Sequence, residues 1–462
     1  MKRRLASFFT ILALSPSLGL SQNPESPTET APEPASVDDL SVVYEAAYFD
    51  QFQPVSVNDM VSRIPGIGLA LGGGGGGGGR GLGGGAGEIL INGQRITGKS
   101  NEGRSQLSRI SADDVDYIEI IRGTSEEIDV RGGGQVVNIV LRAAQSRSSI
   151  AAEISTDRMQ DSKLAPGARL SYSGQNGNLN YLFHIQSDPN YVNQVIRESS
   201  FDPEGVATER RLEESTRDQT NYETSVNLGY QFEKSMVQLN ALYGQTAPPT
   251  DITRGIIGLA EDNPSVNLER EANQGRRDNW ELGGDYEYSF DNRSKFRFLF
   301  IVNDRDFDFT RERFQVGSDE ETKDLFLFSA ARDRERIARS SYTFNLLAGQ
   351  AIETGVEIAQ TIRDSEIRLG NDDEGGEPSA AHGGLFPVDV DNALSSVEEI
   401  RSEYFAIHNW QLTDSMSLET ALVYESSEIT QSGDVGNSRS FGFFSPICRV
   451  EQIGIKNFEI LL

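Results

Sequence analysis

The chain has 462 residues, with 42 Lys and Arg against 70 Asp and Glu and a formal net charge of −28. That surplus of carboxylates argues against nucleic acid, whose phosphates need surplus cations, and the length suits two or three ordinary domains or one small domain and a large barrel. The single cysteine, Cys448, excludes an intramolecular disulfide framework and a four-thiolate metal site, and the three histidines (His184, His382, His408) show neither metal-ligand spacing nor catalytic pairing.

Residues 1–21 read as a secretory signal. Lys2, Arg3 and Arg4 form its basic region, residues 5–20 its apolar stretch, and Gly19-Leu20-Ser21 the small residues of a cleavage site. Ser15, Pro16 and Ser17 interrupt the stretch, which makes it a poor membrane anchor. No later segment reads as a transmembrane helix, so a mature chain that stays in a membrane must do so as a closed barrel. Residues 22–37, rich in Pro, Glu, Thr and Ser, read as a flexible leader. Asp39, Leu40, Ser41, Val42, Val43 and Tyr44 then form a short extended apolar island, readable as an ordinary first strand. Ser56 begins a capping-box-like helix start with Asp59 where Glu or Gln is usual, and Val57, Met60, Val61 and Ile64 fall on one helical face before Pro65-Gly66 ends it.

A glycine run over residues 72–85 cannot form a helix or strand interior and reads as a loop. A short strand at residues 89–91 leads to Asn92-Gly93, a turn dipeptide. From Gly93 to Ser100 the letters match a nucleotide-binding P-loop, whose backbone N–H groups wrap phosphates while its Lys and Ser serve phosphate and Mg²⁺. Asn101-Glu102-Gly103 is a poor helix start, and no apolar strand ending in Asp supplies the metal-binding partner, so the nucleotide reading is set aside. Residues 117–121 form a strand in which Ile118 and Ile120 alternate with Glu119 and Ile121, closed by Arg122-Gly123. A glycine turn at residues 132–134 leads into a last buried strand at 136–141.

Beyond Arg142 the pattern becomes two-residue alternation. Tyr222, Thr224, Val226, Leu228, Tyr230 and Phe232 share one face, and Glu223, Ser225, Asn227, Gly229 and Gln231 the other. After Glu233-Lys234 the alternation resumes in Val237, Leu239, Ala241 and Tyr243. It returns again from Trp280 to Phe290 and, past a turn at residues 291–294, from Phe296 to Val302. Asn176-Gly177 marks another hairpin turn. One lipid-facing and one water-facing side, with aromatic rings at the strand ends, fits a transmembrane barrel better than a soluble sandwich. Residues 246–277 and 363–388 read as long polar loops alternating with the short turns. The acidic run Asn371-Asp372-Asp373-Glu374 reads as a solvated charge cluster with cation binding as the alternative.

These motifs, in this order over residues 36–142, resemble the plug domain of TonB-dependent outer-membrane receptors. The run DMVSRIPGI resembles the plug's opening helix and its Pro-Gly stop. Residues 112–123 resemble the segment ending in the plug's Arg-Gly, and Arg131, Gly133, Gly134 and Asn138 fall in its closing Gly-Gly…Asn strand. Residues 128–131 depart from the usual sequence before that strand. The resemblance implies an α+β plug domain over residues 38–143, then an antiparallel transmembrane β-barrel over residues 144–444, incomplete beside the family's 22 strands. The residues available suit a dozen to fourteen crossings of about 9–11 residues each. Residues 445–462 lack the alternation and read as an atypical tail, as though the receptor's C-terminal third were missing.

The same resemblance makes Asp39 to Tyr44 a candidate TonB box, the segment that adds as a strand to a TonB-type energy-coupling protein. It places Glu119 and Arg122 between plug and wall, with a solvent-exposed strand end as the alternative. The implied protein is a monomer in the outer-membrane lipid of a Gram-negative cell, a receptor without covalent chemistry or cofactor. It would import an unknown small solute such as a ferric siderophore, a cobalamin or an oligosaccharide. A passive plugged porin-like or adhesive barrel is the second reading.

Overall fold

The computed structural model describes residues 36–37, 41–64, 89–95, 107, 110–122, 135–142, 146–247, 249–259, 265–373, 375–413, 416–452 and 458–461. The signal-like segment, the glycine run and residues 96–100 of the P-loop-like motif lie outside them.

The N-terminal unit is a six-stranded sheet with two short helices. Its elements are β1 (Ser36–Val37), β2 (Ser41–Glu45), α1 (Ala46–Phe49), α2 (Val57–Val61), β3 (Ile89–Ile91), β4 (Gln94–Arg95), β5 (Val115–Arg122) and β6 (Gln135–Leu141), and the strand order is β1-β2-β5-β6-β3-β4. Only β3 and β6 run parallel. The capping box expected at Ser56 is complete: the Ser56 side chain accepts from the Asp59 amide, and the Asp59 carboxylate accepts from the Ser56 amide at 3.0 Å. This holds α2 in the one orientation that buries Val57, Met60, Val61 and Ile64. They pack on Ile118, Ile120, Val137 and Ile139 from one face of the sheet. Leu90, Ile121 and Val136 form a smaller cluster of their own. β1 pairs with β2, so residues 36–37, first assigned to the leader, are part of the sheet. Two residues opposite Val42 and Val43 suffice, because the sheet is completed from the other side by β5.

The second unit is a 15-stranded antiparallel sheet. Its first strands are β7 (Ser146–Arg158), β8 (Leu164–Asn176), β9 (Leu179–Phe201), β10 (Ala207–Gln231), β11 (Ser235–Ala247), β12 (Thr250–Gly258), β13 (Ser265–Ser289) and β14 (Lys295–Val316). There follow β15 (Glu321–Leu347), β16 (Gln350–Asn371), β17 (Phe386–Val388), β18 (Leu394–Thr413), β19 (Met416–Gly433), β20 (Asn437–Gln452) and β21 (Phe458–Leu461). Sequential hairpins give nearest-neighbour order apart from β12 and from β17, which pairs only with β16 among the described residues. β12 continues β11 upward along both β10 and β13, and among the described residues β7 pairs only with β8 and β21 only with β20. Among the described residues no helix is long and apolar enough to cross a membrane, which says nothing of a β-barrel.

The faces are inverted relative to a soluble sandwich. On β13, Trp280 and Leu282 are 43% and 42% exposed, while Glu281 and Asp285 between and beside them are 2% and 3% exposed. Such a wall suits an apolar solvent outside and a polar interior. One set of rings lies at the short-turn end, where Tyr230 meets Phe232, Tyr288 meets Phe290 and Phe290 meets Tyr342, and a second, exposed set of Tyr222, Tyr243 and Trp280 lies further up the wall. Short connections at residues 177–178, 232–234, 290–294 and 348–349 all lie at that end.

The far end differs from the sequence reading. Residues 250–258 and 265–277 are strand, in β12 and β13, and residues 363–371 are the last third of β16. Connections there are short too, at residues 159–163, 202–206, 317–320 and 434–436, and only residues 372–393 form a long excursion. The reason is that the strands there carry charged and polar residues on both faces, so hydrophobic alternation disappears while the backbone ladder persists. Cross-strand charge pairs replace it: Arg270 bonds Glu321 at 2.7 Å and Arg332 bonds Asp304 at 2.6 Å. The boundary expected at Phe444 also falls inside a strand. β20 runs on to Gln452 in register with β19, Cys448 opposite Thr420 and Val450 opposite Leu418, and β21 pairs back onto it.

Candidate functional site

The N-terminal unit is built around Asn138. Its buried side-chain carbonyl accepts from the Gly93 amide at 2.8 Å, and its amide donates to Glu119 at 3.3 Å. Asn92 answers in kind, its side chain accepting from the Leu141 amide at 2.8 Å. Asn92 and Gly93 have φ of 52° and 75°, the left-handed pair that a two-residue hairpin between β3 and β4 requires. The geometry disfavours the P-loop reading, since Gly93 closes a hairpin turn and Gln94-Arg95 pair back onto β3 where such a loop would wrap a phosphate.

This unit touches the inner face of the long sheet. Leu182 of β9, 7% exposed, belongs to the same core as Tyr44, Phe49 and Ile118. Beside it the Ser173 hydroxyl donates to Asp114 at 3.0 Å. Ser171 and His184, both buried, share a 2.9 Å hydrogen bond on the same inner stripe. The inner face of β15–β19 is ionic instead. Glu357, 1% exposed, lies between Arg401 at 2.5 Å and Arg339 at 3.3 Å, with Glu403 and Glu425 against Arg401 at 3.3 Å and 3.5 Å. Arg339 also covers the Phe405 ring at 3.9 Å.

A second ionic cluster sits at the far end. Glu271, 1% exposed, accepts from Arg254 and from Arg311 at 2.6 Å and 2.9 Å, and Arg254 reaches Glu213 at 2.5 Å. Burial pushes the Glu271 carboxyl up, but the two guanidinium groups outweigh it and hold it below its ordinary value. Asp324 is held low in the same way: burial is offset by hydrogen bonds from Arg313 and Gln315. Arg254 is raised further because its two carboxylate bonds overcome burial.

Of the candidate TonB-box residues, Ser41, Val42, Val43 and Tyr44 are built into β2 between β1 and β5, and the Tyr44 ring packs on Tyr48 at 5.0 Å. Asp39 and Leu40 lie outside the described residues, as do Pro65, Gly66, Gly123, Arg131, Gly133 and Gly134. Glu119 is bonded inside its own unit, and Arg122 ends β5 opposite Gln135. The groups that meet the wall, Asp114 and the wall's own Ser173 and Leu182, were not singled out from the sequence. Asp114 sits in an acidic strand start that looks solvated, and Leu182 is one apolar residue on a mostly polar face. Among the described residues no group of three or more His, Cys, Asp and Glu is placed to hold a metal ion. In the acidic loop, Asn371 bonds Asp373 at 3.0 Å, and Glu374 lies outside the described residues.

Residues 33–134 match the family model described as TonB-dependent Receptor Plug Domain. The N-terminal unit is a TonB-dependent receptor plug domain. With the long antiparallel sheet that follows, the chain has the plug-then-barrel-wall order of such receptors. No curated protein matches it in sequence. Among solved structures it is similar to the copper transporter OprC, at 13% identity and a TM-score of 0.43 over 91% of this chain and 61% of that one. It is also similar to the ferric yersiniabactin uptake receptor FyuA from Yersinia pestis, at 11% identity and a TM-score of 0.28 over 91% and 80%. A third is the Serratia marcescens hemophore receptor HasR in complex with its hemophore HasA and heme, at 10% identity and 0.37 over 80% and 54%. At such TM-scores these likenesses carry no argument about what the chain binds. The plug's contact with the wall is therefore the site this chain itself offers.

Proposed function

We propose that this chain acts as a TonB-dependent outer-membrane receptor, importing a scarce solute when a TonB-type protein pulls on its plug. The observation that carries the reading is the seating of a plug domain against the polar inner face of a wall whose outer face is apolar, through Leu182 and the Asp114–Ser173 bond. A plug bonded to the wall blocks free diffusion, so passage requires work on the plug. The solute class stays at the level of a ferric siderophore, a cobalamin or an oligosaccharide. With β2 committed to the plug sheet, coupling through Ser41 to Tyr44 would require that strand to leave β5 first.

The test is accumulation of labelled iron chelates, cobalamin and oligosaccharides in cells with and without the gene, each with the coupling protein present or deleted. Uptake that needs both gene and coupling protein supports the reading. Uptake that needs the gene but survives loss of the coupling protein makes the chain a passive pore. Uptake indifferent to the gene refutes import of all three.

A further inference from the structure

On β14 the alternation that turns Phe298 and Phe300 outward turns Phe307 and Phe309 inward, onto the face that carries Arg297 and Arg311. They stand just above the level of Trp280, toward the far end. The two rings are half-buried and parallel within 8°, with centroids 6.5 Å apart. Small residues occupy the paired positions: Gly275 and Ser329 lie opposite Phe309, and Ala331 lies opposite Phe307. The Phe309 ring leans over Gly275, where a Cβ would come within 3.6 Å of it. In these rows only Arg277 adds bulk beside the rings, its guanidinium over Phe307 at 5.3 Å. Parallel, thinly covered rings offer flat apolar faces on which another planar ring can stack.

Two exposed guanidinium groups accompany the rings. Arg277 shares the row of Phe307, and Arg305 is the next inward residue below it on β14. Diagonal neighbours on one face are about 7–8 Å apart, within reach of long side chains. Both groups can therefore reach an anion held over Phe307. Elsewhere on this face arginine is tied to carboxylate: Arg297 to Asp285, Arg311 to Glu271, Arg313 to Asp324, and Arg339 and Arg401 to Glu357. Asp333 lies opposite Arg305 but bonds Arg363 at 3.2 Å instead. Among the described residues neither Arg277 nor Arg305 forms an ion pair, in a chain with 70 Asp and Glu against 42 Lys and Arg. The next acids on this face, Glu281 and Glu335, lie on either side of Asn303, two rows below Phe307. Glu281 is 2% exposed, and Glu335 accepts from Asn303 at 3.1 Å. A guanidinium binds a carboxylate through two parallel hydrogen bonds, and its plane also stacks on aromatic rings.

We infer that Arg277, Arg305, Phe307 and Phe309 form a binding site for a planar aromatic carboxylate, its ring on the phenylalanines and its carboxylate between the two arginines. As a capture site for imported solute it rests on the import reading; as a binding site it stands without it. The test is binding of 2-naphthoate, followed by its fluorescence, to the full chain in outer membranes of cells lacking the coupling protein. Membranes without the chain give the background. Saturable binding is expected, with 2-naphthamide (ring without charge) and cyclohexanecarboxylate (charge without ring) each competing at least tenfold more weakly. Arg277→Gln, Arg305→Gln and Phe307→Leu should each weaken 2-naphthoate about tenfold, with heat-modifiable gel mobility unchanged. Absence of saturable binding above background overturns the site. So does equal competition by either analogue, or unaltered affinity in variants that keep their mobility. Should a variant lose its mobility, the analogue comparison on the unaltered chain still decides. Failure of binding leaves import of another solute standing, and absence of gene-dependent uptake leaves the binding result standing.

Discussion

Replacing Glu271 by Gln tests whether ion pairs hold the far end of the wall together. The substitution keeps shape and removes the charge that two guanidinium groups share. Arg254 keeps Glu213 and Glu269, at 2.5 Å and 3.6 Å, whereas Arg311 loses two hydrogen bonds to a carboxylate. Breaking a fully buried pair costs roughly 3–5 kcal/mol. The Arg311 side chain is 35% exposed and can turn to water, which lowers the expected cost to about 2 kcal/mol. The loss is local, so it should appear in hydrogen exchange of β12 and the upper half of β13 as roughly thirtyfold faster opening. β11 and the lower half of β13, around Trp280 to Tyr288, should exchange as before. Unchanged exchange in β12, or an equal rise in both halves, would refute the idea that Glu271 clamps the far end separately from the lipid-facing band.

Acid should reproduce the effect in the unaltered chain. Glu271 and Asp324 are held below their ordinary values of 4.5 and 3.8, so their stabilisation is full above those values and fades as pH falls through the depressed ones. Exchange of β12 and the tops of β14 and β15 should therefore rise below about pH 4 and stay flat from pH 5 to 8. Gly355→Val should prevent a folded wall, because a Cβ there would stand 2.3 Å from the Ser340 carbonyl and 2.5 Å from the Phe405 ring; loss of heat-modifiable gel mobility is the readout. Asn138→Ala should cost about 1–3 kcal/mol by stranding the Gly93 amide, and should speed proteolysis of the plug before that of the wall. Ser56→Ala should cost about 1 kcal/mol through loss of the α2 cap and show the same order of cleavage, more weakly.

What could be read from the sequence follows from which forces leave a local trace. Asn92-Gly93 and Gly177 announced their turns because left-handed backbone favours those residues wherever it occurs. Ser56 and Asp59 announced α2 because a cap bonds within four residues. The lipid-facing strands were legible because one face meets hydrocarbon and the other water. The extensions above them were not: Arg254 finds Glu213 across 41 positions and Arg311 finds Glu271 across 40, so a charge-rich strand reads as a loop until its neighbours are known. Residues 445–452 were hidden by Pro446 and Cys448, though Pro446 lies opposite Leu422 where β21 has not yet reached β20. A strand with no described neighbour on that side at Pro446 tolerates a missing N–H there. The plug–wall contact was the least legible of all, since Leu182, Ser173 and Asp114 mean something only once two separate sheets are brought face to face.

The length of the strands has a consequence for how anything would be captured. β15 has 27 residues, of which a bilayer needs about ten, so some seventeen continue as ladder above the hydrocarbon. At about 3.3 Å each and a 45° tilt they raise a stiff parapet on the order of 40 Å high. An arriving molecule would thus first meet stiff ladders of paired strands that carry cross-strand charge pairs such as Arg270–Glu321.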